Sequence, residues 1–498
     1  MSISFLTTIF LILYAVVTII LVVRGAMKTK SLKDFAVGQG FSPVVVGLSL
    51  AASTTSAATF IINPGFVAVY GWSAFVAMSI VMPIGLFLSL IILTKSFQKI
   101  GSTTKALTLA QWIGNRYDNQ LHARIIAFLS LLLITFIVLI CVGLVKVLAT
   151  ALGVPELHTL IILVVFIFGY TMFGGANSMV YTNAIQATVM GVVSAILIFS
   201  GYKLFEGGWD GFWAQISAID PLLTQKYNPE SPLFRDFFEV VFCNFIIGIA
   251  IVCQPHIITR SLMLKSEKDV NKYLTVSILT LILFFSVLFV GLYARVLMPD
   301  LTHEGVKLTL DSIVSIYVVK VFSPWMGVIV IFGLLAAGIS TLEGLVQSVS
   351  ATITNDIVLP ILKKDYSENQ KKNINRIVIG VLALISIVIS YDQLINPNLS
   401  VGIFAQNGVY MFFASAFVSI LFGIFLKDTP AKAAIWATIT AAVVYISVYY
   451  GGLLPPYTDG EVKNPAVAAA VAILASLAIG LILYFMLRKK NNLILNDK

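Results

Sequence analysis

"SPVVVGLSLAASTTSAATFIINPGFVAVYGW", residues 42–72, is long and apolar enough to cross a membrane, yet its composition invites an interruption. A spanning helix needs about 20 apolar residues. Here every residue from Ala51 to Thr59 is small or hydroxylated, and Asn63-Pro64-Gly65 follows. Proline removes a backbone donor and clashes with the preceding turn, so the pattern predicts a break near Pro64 and Gly65. Non-helical backbone is tolerated at membrane depth only where protein buries it or where it lines a wet cavity. Carbonyls freed in this way are cation ligands in transporters built from inverted repeats. Small residues also favour close helix packing. A Ser/Thr/Ala run alone fits packing better; the added Asn-Pro-Gly favours a broken helix.

The rest of the chain places this segment in a bilayer. Of 498 residues, 59% are hydrophobic and 11% charged, against about 25% charged in soluble domains. With a mean hydropathy of +0.97, the fold class is all-α and polytopic, with the lipid bilayer as its surroundings. The net charge of +9 does not imply a nucleic-acid partner, and no obligatory protein partner is evident. Cys141, Cys243 and Cys253 all fall in apolar runs, which suits inert packing thiols. The first run, "MSISFLTTIFLILYAVVTIILVVRG", lacks a basic leader and a small-residue cleavage site, so it is expected to be a retained helix. No soluble domain or nucleotide-binding loop is legible, which disfavours an ATP-driven pump.

Apolar runs of spanning length fall near 4–23, 43–70, 73–94, 125–152, 157–173, 181–204, 237–257, 273–298, 324–354, 375–393, 399–426, 431–451 and 465–487. This predicts about 13 transmembrane helices, with the termini on opposite sides. If the N-terminus is outside, the inner segments 24–33, 95–124, 260–272, 363–376, 427–432 and 488–498 hold 24 of the 32 Lys and Arg. Positive residues concentrate on the cytoplasmic side, so the expected orientation is N-out and C-in, in a cell (plasma or inner) membrane. The outer stretch "EGGWDGFWAQISAIDP" (206–221) is expected to form an ordered cap with interfacial tryptophans.

A second interrupted run, "FFEVVFCNFIIGIAIVCQPHIITR" (237–260), carries Asn244 and Gly248 at mid-membrane and Pro255 near its inner end. Five-helix units related by inversion have opposite topology, and the spacing allows that here. Residues 43–204 are expected to form the first repeat and 237–426 its inverted copy. The 4–23 helix and the two within 431–487 would be peripheral.

Segment nine, "GLLAAGISTLEGLVQS" (333–348), holds the polar chemistry. At helical spacing Ala337, Ser340, Thr341 and Gly344 share one face. Two neighbouring hydroxyls and a carbonyl make half of a hard-cation site. Spacing alone favours a plainer role, in which each hydroxyl bonds the carbonyl one turn back. Glu343 is different: a mid-membrane carboxylate is costly and marks function by default. It begins a stripe with Gln347, Ser350 and Thr354 that leads toward Asn355-Asp356 as a wet inner pathway. The structural alternative is a Glu343 paired with Lys146 or buried in its protonated form. His256 in "QPHIITR" suits a helix-end or gating contact, and the four histidines and scattered cysteines make no metal cluster.

These residues resemble the sodium/solute symporter family, particularly its proline, pantothenate and short-chain carboxylate permeases. The resemblance covers almost the whole chain and rests on "ASTTSAATFIINPG", "TLAQWIGNRYD", "FGGANSMVYTNAIQ", "QPHIITR" and "LAAGISTLEGLVQSVSATITND". It implies a LeuT-like 5+5 inverted repeat, and Na+ as the coupling ion. Position by position, it implies a sodium site of the carbonyls of Ala52, Thr55 and Ala337 with the hydroxyls of Ser340 and Thr341. The solute would bind against Thr54, Ser56, Thr59 and Asn63, with Trp72, Phe242, Asn244, Gln406 and Tyr410 completing the pocket. One departure stands out. Many members have Asp where this chain has Asn183 in "YTNAIQ", and the facing position on segment nine, usually a small hydroxyl residue, is Glu343. The expectation is a second cation site, for sodium or a proton, in which Glu343 supplies the charge that Asn183 lacks.

The resulting expectation is a sodium-coupled symporter, not an enzyme, that imports a small organic solute. A monocarboxylate or pantothenate-like acid fits best, also on "RVLMPDLT" (295–302). A proline-like amino acid or a sugar is the alternative. A transporter-like sensor would need an output domain, whereas this sequence stops at Lys498.

Overall fold

The computed structural model describes residues 3–496 apart from 39, 397–399, 427, 457 and 459–461. Lys427 and Lys498, counted above among the inner-side bases, lie outside the described residues. The chain is helical almost throughout; a hairpin of two-residue strands, Thr302–His303 and Val306–Lys307, holds the only strands among the described residues.

The helices used below are α1 (Ile3–Lys28), α2 (Pro43–Thr54), α3 (Asn63–Tyr70), α4 (Met82–Thr104), α5 (Ile134–Leu152), α6 (Glu156–Phe199) and α7 (Gly208–Ile219). They continue with α8 (Asn244–Ile251), α9 (Pro255–Ile258), α10 (Val270–Ser286), α11 (Pro324–Thr352), α12 (Glu368–Ile395), α13 (Val401–Phe425), α14 (Ala431–Tyr449) and α15 (Pro465–Asn496). Among the described residues ten helices are long and apolar enough to span, or twelve when two bent pairs each count as one span. At 1.5 Å per residue α6 would be about 66 Å long, twice the roughly 30 Å of a hydrocarbon core. It changes direction at Gly175, whose φ of 59° and ψ of −162° are non-helical. A left-handed φ of that kind suits glycine. The two sides of Gly175 match the runs at 157–173 and 181–204.

The first bent pair joins Pro43–Thr54 to Ala58–Tyr70 at 53°. The bend is not at Pro64, where the sequence pattern puts it, but at Thr55-Ser56. Thr55 is extended, with φ −99° and ψ 104°. Pro64 is absorbed instead by a π-helical turn over Ala58–Ile62, in which the Asn63 N–H reaches back five residues to the Ala58 carbonyl. Such a turn resets the hydrogen-bond ladder just where proline has no donor to offer.

The second bent pair joins Phe238–Ile251 to Pro255–Met263 at 57°. Gln254 is extended (φ −64°, ψ 132°), as the residue before a proline prefers. Gly248 belongs to packing and not to the break. A Cβ there would lie 2.1 Å from the Met82 carbonyl, so α8 and α4 cross with backbones nearly touching.

These bends surround α11. Every residue from Gly333 to Gln347 is buried, and α11 packs on α6, α5 and α2. A helix buried all round can carry polar groups on several faces provided each finds a partner. At the periphery α1 leaves Ile9, Ile12, Leu13 and Val16 exposed, an apolar face suited to lipid. The outer cap is ordered: Phe212 of α7 is buried against Phe289 and Tyr293, and Trp213 meets Trp72 edge-on at 5.2 Å. Arg260, counted with the inner-loop bases, is 1% exposed and lies inside the bundle.

Candidate functional site

A continuous helix would use the carbonyls of Ala52 and Ser53 for the N–H groups four residues on. The bend after Thr54 releases them, and α11 supplies their partners. Ser340 Oγ donates to the Ala52 carbonyl at 2.8 Å and also lies 3.0 Å from the Ala337 carbonyl. Thr341 Oγ1 lies 3.0 Å from the Ser53 carbonyl and 3.4 Å from those of Ala52 and Ala337. Four oxygens expected at a sodium site, from Ala52, Ala337, Ser340 and Thr341, are thus mutual neighbours. Thr55, the fifth, is the extended residue of the bend, and its hydroxyl turns back to the Ala51 carbonyl at 2.7 Å. The Ser53 carbonyl joins the cluster, a member that the sequence reading missed because the register of the break was placed too late.

One turn along α11, the Glu343 carboxylate is 2% exposed. Its Oε1 accepts from the Tyr170 hydroxyl and, at 3.5 Å, from Gln186 Nε2; its Oε2 accepts from Thr182 Oγ1 at 2.8 Å. All three donors come from α6. Lys146 is not its partner, since that ammonium pairs with Glu156 at 2.7 Å. Asn183 does not bond Glu343 directly. Its Nδ2 donates to Ser53 Oγ at 3.0 Å and to the Ser340 carbonyl at 3.2 Å, while its own Oδ1 and that of Gln186 (Oε1) are buried without partners. Two unpaired amide oxygens beside a carboxylate form an acceptor-rich corner, the polarity a cation prefers. Gln186 was legible as the last residue of "YTNAIQ", one turn beyond Asn183.

On the other side of the break lies a cavity of about 90 Å³. Thr54, Ser56, Thr59 and Asn63 line it from the first bent pair, and Gln406 and Tyr410 from α13. Its remaining walls include Phe136, Leu139, Phe285 and Gln254, and no charged side chain lines it among the described residues. Three expected lining residues stand elsewhere. Trp72 stacks on Phe75 at 5.0 Å beneath the outer cap. Phe242 stacks on Phe238 at 5.4 Å, and Asn244 Nδ2 donates to the Glu239 carbonyl at 2.8 Å, closing a π-helical turn. Gln254 was missed, although a polar residue directly before Pro255 in an interrupted helix marks the point where a side chain faces the break. Its Oε1 is buried without a partner.

A family model for the sodium:solute symporter family matches residues 34–441. The chain belongs to that family. The symporter is 27% identical over 455 residues to the sodium/pantothenate symporter of Escherichia coli K12, covering 86% of this chain and 89% of that one. It is 23% identical to the sodium/proline symporter of Staphylococcus aureus strain Newman, covering 87% and 85%. In three dimensions it superposes on a Na+-coupled sialic acid symporter solved in a substrate-bound outward-open state, with a TM-score of 0.75, 18% identity and 97% and 98% coverage. The fold is therefore the LeuT-like inverted repeat, and the activity is sodium-coupled solute symport across a membrane, not enzymatic turnover.

Proposed function

We propose that this symporter couples inward sodium flow to the import of a small organic acid of the pantothenate type across the cell membrane. The observation that carries the proposal is the convergence of Ala52, Ala337, Ser340 and Thr341 oxygens beside a cavity at the same helix break. When those oxygens face sodium, the two hydroxyl hydrogens turn outward and α2 is tied to α11 by the ion, with Thr55 closing the shell. The repeat boundaries of 43–204 and 237–426 and the N-out, C-in orientation complete this reading, with the positive bias supporting the orientation. Sodium drives transport only if it binds one state better than the other. A site split between a broken helix and an intact one meets that condition, because it is destroyed when the two separate.

The solute class rests on three supports. Two sodium/pantothenate symporters, from Escherichia coli and Haemophilus influenzae, are 27% and 25% identical. The cavity wall is apolar but for hydroxyls, amides and the start of the half-helix after Ser56, whose positive dipole end suits a carboxylate. At about 90 Å³ it is below the roughly 300 Å³ of an open ligand pocket, so loading requires the walls to part, as rocking of the repeats provides. Glu343 supplies the charge of a second cation site with Asn183 and Gln186. Uptake of labelled pantothenate into proteoliposomes, with and without an inward sodium gradient, tests the reading. Gradient-independent accumulation, or none at all while another acid is accumulated, would refute the coupling or the solute respectively.

A further inference from the structure

Arg260 follows the second bend, inside a segment that the charge count assigns to the cytoplasmic end of its helix. All four of its hydrogen-bond partners are uncharged. Nε donates to the His256 carbonyl at 3.1 Å, Nη1 to Ser49 Oγ, and Nη2 to Ser53 Oγ and, at 3.7 Å, to Met179 Sδ. Ser49 and Ser53 are one turn apart on α2, and Ser53 directly follows the sodium-site residue Ala52. A hydroxyl has one hydrogen and two lone pairs, and Ser53 uses all three. It accepts from Arg260 and from Asn183, and it donates to the Ser340 carbonyl at 3.3 Å. A single oxygen atom therefore separates the guanidinium from the backbone of the sodium-site helix α11.

Gly344 leaves the cation room, since a Cβ at that position would lie 3.0 Å from Nη2. A guanidinium stays charged in proteins, and burial without a countercharge is costly. The position is thus maintained by specific groups on α2, α6 and α11, while Arg260 itself rides on the short Pro255–Met263 piece beyond the bend.

We infer that Arg260 is the inner gate of the sodium site, a tethered cation that bars sodium from the cytoplasmic side until the Pro255–Met263 segment withdraws it. This rests on the sodium-site reading above. An ion leaving Ala52 and Ser340 toward Ser49 meets a like charge where little water screens it. Withdrawal frees the Ser49 and Ser53 hydroxyls, which become the next oxygens on the ion's path. Arg260 acts as a positioning residue and needs no contact with solute.

The test is solute-independent ²²Na+ flux in proteoliposomes of the full chain, alongside pantothenate uptake. Arg260→Gln is expected to raise that flux on the order of ten-fold, equivalent to about 1.4 kcal/mol off the barrier. The flux should saturate with sodium, discriminate against potassium, and need about ten-fold more sodium to saturate on adding Ser340→Ala. Gly344→Ala keeps the charge but crowds the fork, and is expected to raise the flux by a smaller factor. Unchanged flux in both variants overturns the inference. So does a leak that carries potassium equally or whose sodium dependence is unchanged by Ser340→Ala. If Arg260→Gln fails to fold, Gly344→Ala and Arg260→Lys decide. Loss of sodium-driven uptake in the unaltered protein would refute the symport reading instead, and the ion flux still reports on the gate.

Discussion

Ser340 Oγ lies 2.8 Å from the carbonyl oxygen of Ala52, although 288 residues separate the two in the chain. The hydroxyl sits on an intact helix and the carbonyl at the edge of a broken one. Neither is a cation site alone, and the contact exists only while α2 and α11 stay together. With that dependence, an ion held there would favour the conformations in which α2 and α11 meet.

Thr341→Val keeps the shape of the side chain and deletes its oxygen. The half-saturating sodium concentration for uptake should rise about ten-fold, the equivalent of 1.4 kcal/mol, with the maximal rate at saturating sodium much less affected. Ser340→Ala should do the same or more, because its oxygen meets two carbonyls. Initial rates against sodium concentration provide the check.

Glu343→Gln should lower the number of cations moved per solute and bring the Hill coefficient for sodium toward one. Glutamine removes the charge and keeps one acceptor oxygen, for either Tyr170 or Thr182, with its amide nitrogen facing the other. Unchanged sodium affinity and charge-to-solute ratio would sink the second site. Glu343→Ala should also lower the thermal midpoint in detergent, since each buried donor left unpaired costs about 1–3 kcal/mol.

Gln254→Ala should raise the KM for solute roughly ten-fold, about 1.4 kcal/mol of lost binding, without altering sodium binding measured in the absence of solute. Trp72→Ala should instead lower thermal stability by about 3 kcal/mol or more and leave KM nearly unchanged, because its ring stacks under the outer cap. Equal effects of both on KM would contradict the cavity boundary drawn here.

Asp311, in the outer connection before α11, predicts a pH effect. Burial raises its carboxyl from 3.8 to about 6, against the opposing pull of the Val401 N–H and Lys146. Between those values the native protein holds a proton that the unfolded chain has released. Its contribution to stability is therefore full below about pH 4 and lost as pH rises through 6. The loss is roughly 3 kcal/mol. Asp311→Asn should be more stable than the parent at pH 7.5 and show a flatter thermal midpoint from pH 4 to 7.

Much of the architecture was legible because a bilayer imposes length and apolarity on each crossing. The run at 43–70 and the hydroxyl pair on segment nine were joined into one expected site only by the resemblance to the family, since their spacing alone favours plain helix hydroxyls. The position of the break was not legible. Pro64 is the strongest local signal for it, but a π-helical turn accommodates the proline, and the chain opens at Thr55, where no residue type demands it. Asn244 and Gly248 misled in a similar way. A polar residue and a glycine at mid-membrane also serve a helix turn and a close crossing, and only the neighbour distinguishes these uses.

By itself the sequence determined a polytopic helical protein with two interrupted spans, a helix face bearing neighbouring hydroxyls and a carboxylate that needed partners. These follow from local pattern and from the cost of polar groups in lipid, which act residue by residue. Tertiary structure alone decided which partners they found. Glu343 faces Tyr170, Thr182 and Gln186 and not Lys146, and Arg260 left the apparent inner loop to lie against Ser49, Ser53 and Gly344. A buried charge is settled by whichever donors, acceptors and space the packed helices bring within about 3 Å, and one-dimensional spacing does not carry that information.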